Sequence, residues 1–369
     1  NLTQITIGPN VEYIGEGAFS GSSNRQENKL QTVIFTEGGT APLVIGKRAF
    51  YKCTSLQNIT FPSRLTEIGD EAFVQCLAMT ELVIPEGVIT IGHAAFHYCT
   101  NVTKVSLPSS LESLATFSTQ YTYAEVITGS SSETLTATGW AAAGVDNIDV
   151  FFACWRIAEI SIPETNKYYA AVEGALYGKN AEGVVTTLYF SPAANPGVEG
   201  VLTIPATVTE IKDRAFYDAF FQDEPLDTVV FADRSVGTPL TIGSELFVDS
   251  AIVHIDLPTG MTEIPEWMFA GTELTEITIP NTVTLIGLGA FNGCESLASI
   301  EFESGGTASL TIADASNDDE GVFAGCEALT EIVFPERLIK IGSYAFACSS
   351  SDAPQLTAVE FPSTLTEIG

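Results

Sequence analysis

The stretch from Leu274 to Cys294 reads LTEITIPNTVTLIGLGAFNGC, and the same phrase begins again at Leu297. As a template it is L-x-x-I-x-I-P-x-x-V-x-x-I-G-x-x-A-F-x-x-C, repeated with a period of 23 residues. Self-similarity at a short fixed period determines the whole fold, so it takes precedence over local patterns. A period of this length lies in the leucine-rich repeat range and predicts a solenoid, in which each turn is one repeat.

Two alternating apolar positions in each repeat, the I-x-I of the template, predict a short strand with one buried face. Successive turns then place these strands in one parallel ladder, with one strand from each turn. The proline ends the strand, and the Ile-Gly pair marks a corner that needs either a left-handed or a crowded backbone. We expect the Ala-Phe segment to return through a single helical or 3-10 turn, with the phenylalanine pointing inward. Phe291→Ala should therefore be far more damaging than Asn292→Ala.

The template runs through the whole chain, which we interpret as one solenoid over 1–369, a fragment of a longer protein. About twelve turns and a partial one are legible. Two insertions interrupt them, a Ser/Thr-rich one at 115–149 and one at 164–200. In the second, apolar runs at 175–177 and 184–190 flank a turn from Gly178 to Gly183, which predicts a β-hairpin.

Composition limits the classes of partner. The chain has 46 acidic and 15 basic residues, a formal charge of −31, which disfavours nucleic acid and anionic membranes. No apolar run suggests a membrane-spanning helix.

Of the seven cysteines, all but Cys348 follow a repeat phenylalanine by three residues. One cysteine per turn predicts a ladder of buried thiols rather than disulfides.

Two segments, Ile84 to Cys99 and Ile279 to Cys294, resemble the BspA-like leucine-rich repeats of bacterial cell-surface proteins. The insertion, with Tyr168-Tyr169 and the run from Glu173 to Tyr177, is similar to a hairpin insertion that recurs in that family. The resemblance implies display at the cell surface or secretion, and adhesion to host or matrix proteins. It carries over no catalytic residue.

Candidate chemistry is sparse. His93 and His97 are four residues apart near Cys99, but they occupy variable positions that we expect to face solvent, and no HExxH motif is present. The acidic run from Asp314 to Glu320 departs from the EF-hand order, because Asp319 stands where that loop requires glycine. We expect neither metal nor cofactor, and no enzymatic activity.

The main candidate for a binding site is the exposed strand face, formed by the polar positions beside the central isoleucine of each strand. Exposed sheet faces need no ligand, so this face is either a docking strip for a basic or extended protein or an ordinary solvated sheet. The aromatic side chains of the insertion either form a glycan-binding platform, together with Trp140, or pack the hairpin onto the solenoid. A passive stalk is the third alternative. We expect a monomer. The candidate ligand-binding residues are Glu81, Lys104, Glu159, His254, Asp256, Glu276, Glu301, Glu331, Tyr168 and Tyr177.

Overall fold

The computed structural model describes residues 2–21, 28–115, 150–192, 194–195, 197, 200–216, 228–234, 240–347 and 356–369. Trp140, Cys348 and the predicted insertion at 115–149, apart from Ala115, lie outside these residues. The chain divides into two units. The first comprises Asn1–Met79, Pro85–Cys99 and Ser110–Ala153, and the second comprises Thr80–Ile84, Thr100–Ser109 and Cys154–Gly369.

The described residues form short strands throughout. In the first part of the chain these are β1 (Gln4–Ile7), β2 (Tyr13–Ile14), β3 (Thr32–Phe35), β4 (Leu43–Ile45), β5 (Asn58–Ile59), β6 (Leu65–Ile68), β7 (Glu81–Val83), β8 (Thr90–Ile91), β9 (Lys104–Ser106) and β10 (Ser113–Leu114). The middle holds β11 (Glu159–Ser161), β12 (Tyr169–Val172), β13 (Ala175–Lys179), β14 (Val185–Phe190), β15 (Val201–Ile204), β16 (Glu210–Ile211), β17 (Thr228–Phe231) and β18 (Thr241–Ile242). The last part holds β19 (His254–Ile255), β20 (Glu263–Ile264), β21 (Glu276–Ile279), β22 (Leu285–Ile286), β23 (Ser299–Phe302), β24 (Leu310–Ile312), β25 (Glu331–Val333), β26 (Leu338–Ile341), β27 (Ala358–Glu360) and β28 (Glu367–Ile368).

The strands of successive turns pair in parallel, as the repeat predicts, but each regular turn contributes two strands rather than one. In the first unit the I-x-I strands form the sheet β1-β3-β5, and the strands before the Ile-Gly corner form β10-β8-β6-β4-β2. In the second unit the I-x-I strands lie in the sheets β11-β9-β7, β15-β17-β19, β21-β23 and β25-β27, and the corner strands include β20-β22-β24-β26-β28. The prediction of one strand per turn was therefore wrong, since the V-x-x-I segment forms a ladder of its own.

The return segments contain no α-helix or 3-10 helix in the described ranges, so the helical return was also wrong. The reason is a left-handed residue just before the Ala-Phe pair: Arg48, Glu71 and Ala94 have φ of 54°, 54° and 50°. Single residues with left-handed φ and ψ occur in proteins, but such a residue cannot continue a right-handed helix. The backbone instead bonds to the next turn, with Arg48 N donating to Asp70 O at 2.9 Å and Phe50 N to Ala72 O at 2.8 Å.

The repeat phenylalanines point inward and stack on one another, which confirms the inward prediction. In the first unit the rings of Phe19, Phe50, Phe73, Phe96 and Phe151 follow one another at centroid distances of 5.1–6.1 Å. In the second unit Phe216, Phe247, Phe269, Phe291, Phe323 and Phe346 do so at 4.8–5.6 Å. Adjacent turns thus bury each other's rings, so that no turn has a core of its own.

The cysteines that the structure describes are buried thiols, as predicted. The thiol of Cys53 donates to Phe19 O at 3.2 Å, and Cys99 and Cys294 donate to Phe73 O and Phe269 O. Burial raises the pKa of Cys53 and Cys99 to about 12 and that of Cys294 to about 11. These groups therefore stay protonated at neutral pH and are poor nucleophiles.

The corner glycines are explained by crowding and not by a left-handed backbone. A Cβ on Gly92 would lie 2.5 Å from Asp70 N, and one on Gly287 would lie 2.8 Å from Glu266 N. Neither glycine has a positive φ. Of the two alternatives left open by the sequence, close approach of the preceding turn is the correct one.

Two arginines each reach across a turn that carries an extra Gly-Gly-Thr segment and bond to the turn beyond it. Arg64 donates to Val11 O at 2.6 Å and to Gly8 O at 3.3 Å, and Arg337 donates to Val283 O and Pro280 O. A Cβ on Gly306 would lie 3.1 Å from the Nε atom of Arg337. The glycine therefore leaves space for the guanidinium, which supplies donors to carbonyls two turns away.

The insertion forms an antiparallel hairpin, as predicted, and a third strand extends it. β13 pairs with β12 on one side and with β14 on the other. β14 also pairs in parallel with β16, with Leu188 opposite Ile211, so the hairpin continues the corner ladder. Tyr177, opposite Leu188 in β13, is 0% exposed and belongs to the core of the second unit.

His93 and His97 are buried, at 3% and 5% exposure, so their predicted exposure to solvent was wrong. The ring of His97 lies 4.7 Å from that of Tyr98 and 4.9 Å from that of Phe152. Burial, together with the nearby His93, lowers the pKa of His97 to about 3. The folded protein therefore holds this imidazole neutral over a range in which the unfolded chain, with a pKa near 6.5, is protonated.

This difference predicts a pH-dependent stability. Because the unfolded state binds the extra proton, the contribution of His97 is complete above about pH 6.5 and is lost as the pH falls toward 3. Lowering the pH from 7.5 to 5 should cost the wild type about 2 kcal/mol more than His97→Gln, in urea unfolding followed by circular dichroism. An unchanged pH dependence in His97→Gln would contradict the assignment.

Candidate functional site

The predicted strand-face residues lie on one exposed side of the I-x-I strands in the second unit. Glu81, Lys104 and Glu159 occupy the first exposed position of β7, β9 and β11. His254, Glu276 and Glu331 occupy the same position in β19, β21 and β25. Asp256 and Glu301 are also exposed. Each of these side chains alternates with a buried isoleucine, leucine or valine, which is why the sequence pattern alone places them on the surface.

The row on β7, β9 and β11 is partly compensated, because it holds one lysine and two glutamates. Lys104 is in register with Glu81 on one neighbour and Glu159 on the other. Its Nζ atom lies 3.4 Å from a carboxylate oxygen of Glu159. A cation between two carboxylates on adjacent strands is a favourable cross-strand arrangement.

The corresponding part of β19, β21 and β23 contains a groove. β19 pairs only with β17 among the described strands, whereas β21 pairs with β23, so the ladder is interrupted between β19 and β21. Thr275 N donates to Val253 O at 3.4 Å just before this interruption. The groove has a volume of about 490 Å³. Its polar lining consists of His254, Asp256, Glu276, Thr278, Ser299, Glu301 and Glu303, and its apolar lining consists of Ile255, Leu257, Ile277 and Pro280.

Four of the ten predicted residues, His254, Asp256, Glu276 and Glu301, therefore share one concave surface. The Nε2 atom of His254 lies 3.4 Å from Asp256. Glu276 is in register with Ser299, and Glu301 with Thr278. No lysine or arginine lines the groove in the described part of the chain. Glu303, which the sequence analysis missed, also lines it and accepts a hydrogen bond from Asn281 N at 3.1 Å.

The two tyrosines of the insertion have different environments. Tyr168 is 45% exposed, whereas Tyr177 is fully buried, so the proposal of Tyr177 as a ligand-binding residue was wrong. The main-chain N–H groups of Tyr168 and Tyr169 donate to the Asn166 side chain at 2.8 and 2.7 Å. The insertion therefore packs on the solenoid through Tyr177, and only Tyr168 of the predicted pair is available to a ligand.

Other polar clusters have structural roles or do not converge. Asp314, in the acidic loop, accepts hydrogen bonds from Lys340 at 2.7 Å and Ser343 N at 2.9 Å, and the bond from Lys340 lowers the pKa of this carboxyl. Among the described residues, no three His, Cys, Asp or Glu side chains form a group that would hold a metal ion. The same residues contain no helix long and apolar enough to span a membrane.

The model of the BspA type leucine rich repeat region matches six copies along the chain, over residues 1–41, 26–138, 200–311 and 316–369. The chain belongs to the BspA-type leucine-rich repeat family. This agrees with the resemblance seen in the Ile84–Cys99 and Ile279–Cys294 segments. No curated protein sequence matches the chain.

Solved structures similar to this BspA-type chain share its fold. A leucine-rich cell surface protein from Faecalibacterium prausnitzii A2-165 is 24% identical, with a TM-score of 0.54 over 95% of this chain and 80% of that one. A leucine-rich repeat protein from Eubacterium ventriosum is 19% identical, with a TM-score of 0.62 over 98% and 84%. The pneumococcal vaccine antigen PcpA is 20% identical, with a TM-score of 0.60 over 99% and 74%. At these identities the similarity establishes the solenoid fold and no shared ligand.

Proposed function

We propose that this BspA-type chain is a non-catalytic binding protein of the bacterial cell surface or extracellular space. It docks a host or matrix protein on the strand face of β19, β21 and β23, and it acts as a monomer. The observation that carries the proposal is the groove at His254, Glu276 and Glu301, where exposed carboxylates line a concave surface without a lysine or arginine. Similar folds in a bacterial cell surface protein and in a pneumococcal antigen support the location.

The physical basis is charge complementarity. The chain as a whole carries a formal charge of −31, so a basic partner is attracted over the whole surface and a polyanion is repelled. The groove adds a local site at which the carboxylates have no internal counterion comparable to Lys104. A partner that supplies this counterion gains both association rate and specificity from the contact.

The glycan alternative is weaker in this structure. Its central residue, Tyr177, lies in the core, and Trp140 lies outside the described residues. A single exposed Tyr168 offers a small stacking surface, whereas a protein partner can contact several strands at once. The passive stalk is the alternative that predicts no binding at all.

The proposal predicts a specific result in a solid-phase binding screen. The purified chain, probed against individual extracellular matrix proteins and a glycan array, should bind at least one basic matrix protein. The triple variant Asp256→Asn, Glu276→Gln, Glu301→Gln should weaken this binding by about tenfold or more, because it removes three negative charges from the groove. Glu81→Gln with Glu159→Gln is the matched control on the compensated strands and should bind like the wild type.

Three results would overturn the proposal. Binding that the triple variant leaves unchanged would place the interface elsewhere on the molecule. Absence of any binding, with a chain whose circular dichroism and melting temperature show that it is folded, would favour the stalk. Glycan binding that is lost in Tyr168→Ala would move the function to the insertion.

A further inference from the structure

The strand face itself shows how this chain accommodates a cation. On β7, β9 and β11, the side chain of Lys104 lies between Glu81 and Glu159 in register, and its Nζ atom is 3.4 Å from Glu159. Charges of opposite sign on adjacent strands attract, and like charges directly opposite one another repel. This row is a reference for a strand face in which the chain itself supplies a counterion to its carboxylates.

The groove also carries glutamates on neighbouring strands, but no lysine or arginine lines it in the described part of the chain. Glu276 is opposite Ser299, and Glu301 is opposite Thr278, so neither faces a basic side chain in register. Among the described residues, neither carboxylate forms an ion pair. The Asp256 carboxylate lies 3.4 Å from the Nε2 atom of His254, which also lines the groove. Several negative charges on one concave surface raise the local concentration of cations.

The shape and lining of the groove determine which kind of cation fits. Of its apolar lining, Leu257 is half-buried and offers apolar surface beside the carboxylates, whereas Ile255 and Ile277 belong to the core. The alkyl stem of a lysine or arginine packs on apolar surface while its charged end stays with polar groups. A bare metal ion would instead need converging ligands, and no group of three is present in the described residues. The exposed carboxylates therefore suit the charged end of a long cationic side chain, and the half-buried Leu257 suits its alkyl stem.

We propose that the groove receives an arginine or lysine side chain from an extended basic segment of the partner protein. In this arrangement the cation is the counterion of Glu276 on β21 and of Glu301 on β23, as Lys104 is the counterion of Glu159. This inference rests on the proposed function and specifies the chemistry of the partner. Arginine, with its planar fork of donors, can bond two carboxylates at once and is expected to bind more tightly than lysine.

Isothermal titration calorimetry with short peptides tests the inference directly. The probes are acetylated, amidated peptides of alternating threonine with arginine, with lysine or with citrulline, the neutral isostere of arginine. We expect the arginine peptide to bind at least about tenfold more tightly than the citrulline peptide, and to weaken as salt rises from roughly 20 mM to about 500 mM. Glu276→Gln with Glu301→Gln should abolish this preference, whereas Glu81→Gln with Glu159→Gln should retain it.

The outcomes separate this inference from the proposed function. Equal affinities for the arginine and citrulline peptides would overturn the inference, as would a preference that survives Glu276→Gln with Glu301→Gln. If a matrix protein still binds through the groove in that case, the proposed function stands without the cationic side chain. If the arginine peptide binds as expected but no matrix protein does, the groove chemistry is correct and the proposed function fails.

Discussion

Phe291→Ala is expected to lower the free energy of unfolding by about 3–5 kcal/mol. Phe291 is fully buried, and its ring stacks on Phe269 at 5.4 Å and on Phe323 at 5.6 Å. Truncation removes this buried surface and leaves a cavity between two rigid turns, which cannot close it without shifting the inter-turn hydrogen bonds. Urea unfolding followed by circular dichroism measures the difference.

Asn292→Ala, at the next residue, is the control. The Asn292 side chain donates to Asp319 O at 2.8 Å and to Gly321 O at 3.2 Å, both near the surface. Its removal should cost about 0.5–1.5 kcal/mol for a partly exposed hydrogen bond. Similar losses in the two variants would show that the phenylalanine column does not carry the stability of the stack.

Gly92→Ala is expected to be the second large effect, with a loss of about 3 kcal/mol, at the upper end of the range for overpacking. Its Cβ would lie 2.5 Å from Asp70 N and 2.7 Å from Gly69 C. These are backbone atoms, so they cannot move away as a flexible side chain would. The change in melting temperature by calorimetry reports this loss.

Gly15→Ala provides a control at the same position of the repeat. In this 369-residue chain nothing lies within 4 Å of a Cβ at Gly15, and its φ is not positive. This substitution should therefore be neutral or slightly stabilising, because alanine restricts the unfolded chain. A comparable loss at both glycines would mean that the corner requires glycine for its conformation and not for the close approach of the preceding turn.

Sequence was sufficient for the features that repeat in every turn. The alternation around Ile277 and Ile279 identifies the buried and exposed faces of a strand, and a phenylalanine once per turn identifies a core column. Parallel pairing follows, since identical turns bury their apolar faces on one another. The exposed positions of Glu81, Glu276 and Glu301 could be assigned for the same reason.

Features that depend on contacts between turns were not visible in the sequence. The second ladder uses strands as short as Thr90–Ile91, whose pairing is set by the neighbouring turns. The residue with positive φ two positions before the repeat phenylalanine is Arg48, Glu71 or Trp267 in three of the turns, and these residue types do not indicate a left-handed backbone. Gly17 and Gly289 occupy the same position in two other turns, and they do indicate it. Tyr177 is buried because it lies opposite Leu188 in a sheet that joins the corner ladder.

The groove is the part of the candidate site that sequence could not supply. Its carboxylates follow from the repeat, but their placement on one concave surface is visible only in the structure. The partial charge compensation on β7, β9 and β11 likewise depends on the register that brings Lys104 between two glutamates. Whether a strand face holds a counterion for its own carboxylates is thus a property of strand pairing.

Carboxylate footprinting of the chain with its bound matrix protein tests the proposed interface most directly. Carbodiimide labelling read by mass spectrometry reports the accessibility of each exposed carboxylate, with and without the partner. We predict that Asp256, Glu276 and Glu301 become protected, while Glu81 and Glu159 label as in the unbound chain. Protection confined to Glu81 and Glu159, or to carboxylates of the insertion and the return segments, would contradict docking in the groove.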